Sequence, residues 1–416
     1  MQETFGRKKK ILNDPVYGFI NINDELIFDI IEHPWFQRLR RIKQLGLTHL
    51  VYPGALHTRF HHSIGAMHLM QKALEILSSK GHMFSKDERL ATLIAILLHD
   101  IGHGPYSHSL EKKIVEELSH EELTLLFLER LKRQFGEIFD LAIKIFSGDC
   151  SKSFLHQLVS SQLDTDRLDF LKRDSYFTGV AEGVINSDRI ITMMEVVSNN
   201  LVIEAKGIYS IENFIVARRL MYWQVYLHKT VLSAEQMLLQ VIRRAKLLFA
   251  DGNDLFGTAT LKLFMKNRFT KNDFLNNPLL LNSFGTLDDF DVFTAIKEWA
   301  KCDDHVLSLL CQSLVKRNLF RTEIKNKPIT EEEIEFRKES VISYYDLSPD
   351  EVNYFVLSGS AQNSAYDHTH EGINILFKDG QLLDIAEVSD QLTAEVLSKT
   401  VKKYFICYPK APFDTN

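Results

Sequence analysis

The sequence predicts a mainly α-helical protein with a smaller C-terminal α+β region, and three features carry that expectation. Apolar residues recur at helical spacing from Asp24 to about residue 322, with glycine and proline confined mainly to element ends. Ser or Thr three residues ahead of Glu marks helix starts at Ser85, Ser119 and Thr330. Past residue 323 the pattern shifts to short β-like runs around an Asp379-Gly380 turn. The expected organisation is therefore a helical body over 1–322 and an α+β region over 323–416.

Taken in order, residues 11–22 alternate around Asp14-Pro15 and Gly18, which predicts a short hairpin or an extended opening segment. From Asp24 the spacing of Leu26, Ile30 and Ile31 is helical, and His33-Pro34 breaks it. Pro34 suits the first turn of the next helix, expected to run to about Leu45 and to close at Gly46. After Pro53-Gly54 a long helix begins near Arg59, runs to about Lys80 and ends at Gly81. Ser85-x-x-Glu88 caps a helix ending at His99. Ser119-x-x-Glu122 caps another, with Leu123, Leu126, Phe127 and Leu131 as its buried stripe. In the C-terminal region Thr330 to Glu333 caps one more helix. The runs Ile373–Phe377 and Leu382–Val388 read as a hairpin, and Tyr404–Cys407 as a final strand.

Composition narrows the function classes. The chain has 416 residues, 45% apolar and 25% charged, which are ordinary globular values and argue against disorder. A net charge of −6 argues against nucleic acid as the main partner, since that needs a basic surface. The local exception, Arg7-Lys8-Lys9-Lys10, reads either as a solvated tail or as a phosphate contact. Cys150, Cys302, Cys311 and Cys407 are scattered without a CxxC spacing and read as buried thiols in a reducing compartment. No apolar run approaches the roughly 20 residues a membrane span needs. The expectation is a cytoplasmic protein of enzyme size with no membrane partner.

The chemistry concentrates in Leu97-Leu98-His99-Asp100-Ile101-Gly102-His103-Gly104-Pro105-Tyr106-Ser107-His108. An apolar helix runs into a His-Asp pair, and a Gly-Pro break then carries two more histidines. A helix C-cap accounts for one His and the Gly; it does not account for this density of ionisable groups. Of the 16 histidines, nine fall from His57 to His120, and buried imidazoles need partners. His62, His99, Asp100 and Asp166 stand out as metal ligands. His62 starts one helix and His99 ends another, so antiparallel packing would bring them together. Asp166 lies in the acidic stretch Asp164 to Asp174, whose bland reading is a salt-bridged helix face. Two imidazoles and two carboxylates suit one divalent Fe, Mn, Zn or Co, with positions left for water and a phosphoryl oxygen. Mg is a candidate second ion.

The segments NDPVYG, FQRLRRIKQLG, RFHHSIG, HDIGHGPYSH, LDTDRLDFLKRD and VYLHK, with His62, His99-Asp100 and Asp166 in order, resemble the HD-domain metal phosphohydrolases. They look like the branch that contains the dNTP triphosphohydrolases with SAM and HD domains, over about residues 10–322, although no room is left for a SAM domain. The resemblance implies an HD-domain helical core and assigns the metal to His62, His99, Asp100 and Asp166. It places His103, His108 and His120 near the phosphates, with His108 as general acid for the leaving 5′-oxygen and Asp164 among the catalytic groups. Arg59 and Arg167 match phosphate contacts, Arg218, Tyr226 and His228 nucleotide contacts, and Gln44, Leu45, Phe170 and Asp174 positions around the sugar. Three departures stand out: Arg167 replaces a usual lysine, Phe170 a usual tyrosine, and His61 a usual acid. Lys10, Ile11, Glu32, Gln37, Arg40, Arg317 and Arg321 fall on positions of a guanine-nucleotide activator site between subunits. Gln37 and Arg40 read equally well as a solvated helix face. An activator site of that kind implies a homo-oligomer, dimer or tetramer.

The implied reaction is attack of metal-activated water on the α-phosphorus of a dNTP, giving deoxynucleoside and tripolyphosphate. Two alternatives stay open: a phosphodiesterase or nucleotidase on another nucleotide, and a nucleotide-sensing or single-strand nucleic-acid-binding scaffold.

Overall fold

The computed structural model describes residues 10–363, 366, 372–390 and 401–410. Arg7, Lys8 and Lys9 of the basic run lie outside the described residues. The fold is mainly helical with small sheets, as the sequence predicts.

The chain opens with β1 (Lys10–Asp14) paired antiparallel to β2 (Gly18–Ile22). Asp14 accepts from the amides of Val16 and Tyr17 at 2.9 and 3.0 Å, and Gly18 takes φ +75°, so both turn signals serve the hairpin. Helix α1 (Glu25–Glu32) starts on the Asp24 cap. Helix α2 (Pro34–Arg38) has proline in its first turn but stops at Arg38 and passes through a 3-10 turn (Leu39–Arg41), not running to about Leu45 as the spacing predicts. Distant partners take the backbone groups that a longer helix would use. The amide of Lys43 donates to Asp289 at 3.0 Å, that of Gln44 to the His57 carbonyl at 3.0 Å, and the Ile42 carbonyl accepts from Arg59 at 3.0 Å. Gln44 and Leu45 are thereby turned toward the cleft described below.

The body is built on α3 (Arg59–Ser79), α4 (Lys86–Leu98), α5 (His120–Phe135), α6 (Ile138–Ser147), α7 (Ser153–Val159) and α8 (Thr165–Thr178). Both expected capping boxes form, Ser85 with Glu88 and Ser119 with Glu122. Each cap is worth about 1 kcal/mol. Helix α3 packs against both α4 and α8. The contact with α8 needs Gly65: a Cβ there would lie 2.1 Å from both Arg173 Nη2 and Asp169 Oδ1.

Beyond α9 (Ser187–Thr192), a hairpin of β3 (Met194–Val197) and β4 (Asn200–Glu204) interrupts the body, which the sequence predicts as helical throughout. Ser198 and Asn199 turn it, at φ 49° and 67°. Helix α10 (Ile208–Met221) passes through a π-helical turn over Tyr222–Tyr226 into α11 (Lys229–Ala250). Then follow α12 (Ala259–Lys266), α13 (Lys271–Asn276), α14 (Pro278–Phe284), α15 (Asp289–Trp299) and α16 (His305–Val315).

The C-terminal region holds β5 (Arg321–Lys325), α17 (Glu331–Tyr345), β6 (Leu357–Asn363), β7 (Asn374–Leu376), β8 (Leu382–Asp384), α18 (Ile385–Val388) and β9 (Val401–Tyr408). The expected strand over Leu382–Val388 ends at Asp384, whose side chain accepts from the Ala386 amide at 2.8 Å and starts α18. Strand β7 joins β4 of the helical body in parallel, making one sheet in the order β3-β4-β7-β8. The other sheet runs β5-β9-β6. The four cysteines are free; Cys311 and Cys407 are buried, whereas Cys150 and Cys302 are only half-buried. No helix of the described residues is long and apolar enough to cross a membrane.

Candidate metal centre and active-site cleft

Three helices deliver the four expected metal ligands. His62 sits in the first turn of α3, His99 caps the C-terminus of α4 with Asp100 beside it, and Asp166 lies in the first turn of α8. Nε2 of His62 is 3.2 Å from Nε2 of His99, 3.0 Å from Asp166 Oδ1 and 3.6 Å from Asp100 Oδ2. Nε2 of His99 is 3.5 Å from Asp100 Oδ1 and 3.6 Å from Asp166 Oδ1. Neighbouring ligands held at about 2.1 Å from one cation lie roughly 3 Å apart, so these spacings are close to what one ion requires.

The outer nitrogens settle the fit to a cation. His62 Nδ1 lies 2.8 Å from Asp169 Oδ2, and His99 Nδ1 lies 2.6 Å from the Ile96 carbonyl. Both contacts require a proton on Nδ1, which leaves two Nε2 lone pairs aimed at each other and at two carboxylates. A cation between them would satisfy that arrangement in place of protons, and metal-ligating histidines characteristically donate their other N–H in this way. Burial would push both imidazoles down. Asp166 and Asp169 instead hold His62 up at about 10, and Asp100 and Asp166 raise His99. Burial would likewise raise Asp166, yet His62 and His99 hold it well below the usual carboxylate range. The pocket is built to hold positive charge.

Asp169 is in turn gripped by Arg173 at 2.9 and 3.0 Å, and Arg173 reaches Asp14 of the opening hairpin at 2.8 Å. Sequence reading left Asp169 out of the site. Its signal was the spacing of Asp166, Asp169 and Arg173 on one helix face.

The second histidine set also gathers. The rings of His103 and His120 stack at 4.0 Å between centroids, and His108 stands edge-on to both, at 4.7 and 5.2 Å. Glu111, which sequence reading missed, ties two of them together: Oε2 lies 2.9 Å from His108 Nδ1 and Oε1 lies 2.6 Å from His120 Nδ1. Those contacts hold Glu111 well below the usual carboxylate range. His103 is kept neutral by burial and by the Arg59 guanidinium, and its Nε2 lies 3.4 Å from Asp100 Oδ1. Asp100 thus links the two histidine sets. Burial opposes its charge, but Arg59, bonded to Oδ2, keeps it ionised.

Both sets border a cleft of about 530 Å³, a size that suits a nucleotide. Gln44, Leu45, Arg59, Arg167, Phe170, Asp174, Arg218 and Tyr226 all line it, together with His108 and Asp166. Arg218 is lowered to about 10, by burial and then by the neighbouring Arg167, so two guanidinium groups crowd one wall. The buried Oε1 of Gln44 has no hydrogen-bond partner. Asp174 lies between His57 Nε2 and the Tyr226 hydroxyl, each at 2.7 Å. The π-helical turn brings Tyr222 as well as Tyr226 to the cleft, and such turns often mark functional sites. Glu235, half-buried and bonded by Ser109 at 2.8 Å, also lines it. Neither Tyr222 nor Glu235 was singled out from the sequence.

Several expected residues stand elsewhere. His228 does not line the cleft: it caps α11, accepting from the Thr230 amide at 3.2 Å, and its ring meets Tyr52 edge-on. Asp164 caps α8, accepting from the amides of Arg167 and Ser161 at 2.6 and 2.8 Å and pairing with the Arg167 side chain. Burial pushes it up to about 6. Its oxygens are taken up in holding the helix that carries Asp166, so in this structure it positions that helix. Of the residues assigned to an activator, Lys10 sits over the Phe28 ring at 4.4 Å and Ile11 is exposed. Gln37 donates to the Ile31 carbonyl and accepts from Arg40, which covers the Phe60 ring at 3.5 Å. Glu32 ends α1, Arg317 donates to the Leu50 carbonyl at 2.9 Å, and Arg321 begins β5.

Comparisons with known proteins agree with this geometry. The HD domain family matches residues 59–165, which hold every expected ligand but Asp166, and the HD associated region matches 185–252. The uncharacterized protein YwfO of Bacillus subtilis is 32% identical over 97% of this chain and 93% of its own length. A phosphohydrolase from Bacteroides thetaiotaomicron, solved by crystallography, superposes with a TM-score of 0.93 at 50% identity, over 97% of this chain and 100% of its own. More distantly, the deoxynucleoside triphosphate triphosphohydrolase SAMHD1 homolog of Dictyostelium discoideum is 30% identical over 58% of this chain and 50% of its own length. This chain belongs to the HD-domain phosphohydrolases that carry an HD-associated region.

Proposed function

We propose that this phosphohydrolase is a dNTP triphosphohydrolase, releasing deoxynucleoside and tripolyphosphate by attack of water on the α-phosphorus. The observation that carries the reading is the cleft itself. Arg59, Arg167 and Arg218 line it beside His108 and Asp166, and the buried Oε1 of Gln44 has no hydrogen-bond partner, which supports a triphosphate on the guanidinium side and a sugar at Gln44. A divalent Fe, Mn, Zn or Co on His62, His99, Asp100 and Asp166 would supply Lewis-acid activation of water and phosphoryl oxygen, with Mg as a candidate second ion.

The chain's own residues supply the rest. Arg59, Arg167 and Arg218 clamp phosphate oxygens, and a guanidinium does this with two parallel donors. His108, on the cleft wall, protonates the leaving 5′-oxygen, while Glu111 fixes its ring and that of His120. Gln44 Oε1 accepts from a sugar hydroxyl, and Asp174, positioned by His57 and Tyr226, takes a second contact there. Phe170 and Leu45 close the sugar side with apolar surface. The same reading extends to a guanine-nucleotide activator on Lys10, Ile11, Glu32, Gln37, Arg40, Arg317 and Arg321, shared between subunits of a cytoplasmic homo-oligomer.

The test is product identity. Each dNTP is incubated with Mn²⁺, with and without GTP or dGTP, and the products are separated by chromatography. Deoxynucleoside plus tripolyphosphate is expected. Formation of dNMP and pyrophosphate, or turnover of a phosphodiester reporter but of no dNTP, overturns the substrate assignment. His99→Ala should lose both bound metal and turnover, at least 10³-fold for the latter, since metal chemistry contributes several kcal/mol.

A further inference from the structure

A second concavity, of about 850 Å³, lies between the segment after Glu111 and helices α11 and α12. It is lined by Lys112, Lys113, Arg243, Lys246, Lys266 and Arg268, with Glu116 as the one carboxylate among its lining residues. On a chain of net charge −6 this concentration of cations is conspicuous. Several surface lysines elsewhere have carboxylates of their own, as Lys72 has Asp188, Lys132 has Asp140 and Lys262 has Asp254; what sets this concavity apart is that six cations share one carboxylate. Here Glu116 serves two cations, Lys246 at 2.8 Å and Arg268 at 3.4 Å. Among the described residues, Lys112, Lys113, Arg243 and Lys266 ion-pair with no carboxylate. Like charges gathered in a concavity repel, and the focused field draws anions.

The shape narrows the anion. Leu239, Ile242 and Met265 form an apolar wall, and Tyr354 carries Arg243 over its ring at 5.1 Å. Single-stranded nucleic acid favours a long basic groove with several stacking platforms. A compact cleft with one aromatic ring suits a small, multiply charged molecule. We propose that this cleft is a binding site for a small polyphosphate anion, a chain of at least three phosphates, whether free or carried by a nucleoside. Lys112 and Lys113 directly follow Glu111, so the ligand would touch the segment that holds His108 and His120. The site stands whatever the catalytic cleft hydrolyses, because it is tested by binding alone.

The test is calorimetric titration of the full chain with sodium tripolyphosphate, in EDTA so that nothing turns over. A class of site belonging to this cleft is expected beside those of the catalytic cleft and of the activator site between subunits. The variant R243Q/K266Q/R268Q should lose one class, or weaken it at least tenfold, with an unchanged near-ultraviolet spectrum. A control of equal charge change, K132Q/K262Q/K301Q, should keep every class. Should the triple variant fold poorly, R268Q alone is expected to weaken that class about threefold; its side chain is 86% exposed, so the fold does not depend on it. Repeating the titration with dATP separates the sources. Tenfold tighter binding than tripolyphosphate at this class marks a nucleoside triphosphate, and equal binding marks the inorganic chain. The proposal is overturned if the triple variant and the control bind alike, or if oligo(dT) occupies the cleft at least tenfold more tightly than either small anion.

Discussion

His62 can serve a cation because its other nitrogen is already engaged by Asp169, which Arg173 holds in turn. The orientation of one ligand therefore depends on a buried pair outside the ligand set. Asp169→Asn should weaken metal affinity 10- to 100-fold, as read by equilibrium dialysis with metal analysis, with helical content retained. Unchanged affinity would show that Asp169 only balances Arg173. Glu235 carries a separate residue-scale expectation. Burial pushes its carboxyl up to about 7, from an ordinary value of 4.5. Between those values the unfolded chain has released the proton and the folded chain retains it, so stability falls as pH rises through the window and levels off above it. The slope is at most about 1.4 kcal/mol per pH unit for one group. Asp164, pushed up to about 6, adds a slope of the same sign, so urea unfolding at pH 5, 6, 7 and 8 should fall more steeply in the native chain than in Glu235→Gln; parallel profiles would refute the assignment.

At the scale of elements, the close approach of α3 and α8 decides whether the ligands meet. Gly65 is the point of contact, since a Cβ there would meet Arg173 and Asp169 at 2.1 Å. Gly65→Ala must separate the helices or break the ion pair behind His62. Overpacking costs about 1–3 kcal/mol, and disturbing a buried pair adds to it. The expected result is at least about 3 kcal/mol lost in denaturant unfolding, with metal binding weakened in parallel; a loss under about 1 kcal/mol would place the helices further apart than described. The elements themselves differed in how far the chain's local order revealed them. The opening hairpin and the boxes at Ser85, Ser119 and Thr330 were readable because their partners lie within a few residues. The early end of α2 was not, because Asp289 and His57 decide it from far along the chain. The candidate metal ligands stood out by residue type and spacing. Asp169 and Glu111 did not, because a carboxylate that orients a histidine looks in sequence like any solvated acid.

For the whole molecule, the cation-binding cluster is a joint as well as a site. Its ligands come from the start of α3, the end of α4 and the start of α8, and Arg173 extends the connection to Asp14 in the opening hairpin. The C-terminal strands are tied in away from that joint, β7 by pairing with β4 and β5 by packing on α11. A cation that binds only the folded arrangement stabilises it by about 2.7 kcal/mol at a hundredfold excess over its Kd. Without it, the converging Nε2 atoms and carboxylates must be reconciled by protons. Chelation should therefore lower the thermal midpoint by a few degrees, and Mn²⁺ should restore it in proportion to the logarithm of its concentration. His99→Ala should begin at a low midpoint and show no response to metal. Hydrogen exchange should then report the loss at α3, α4 and α8, with the β5-β9-β6 sheet unaffected. If protection fell equally throughout the chain, the cation would be supporting the molecule globally and not through these three helices.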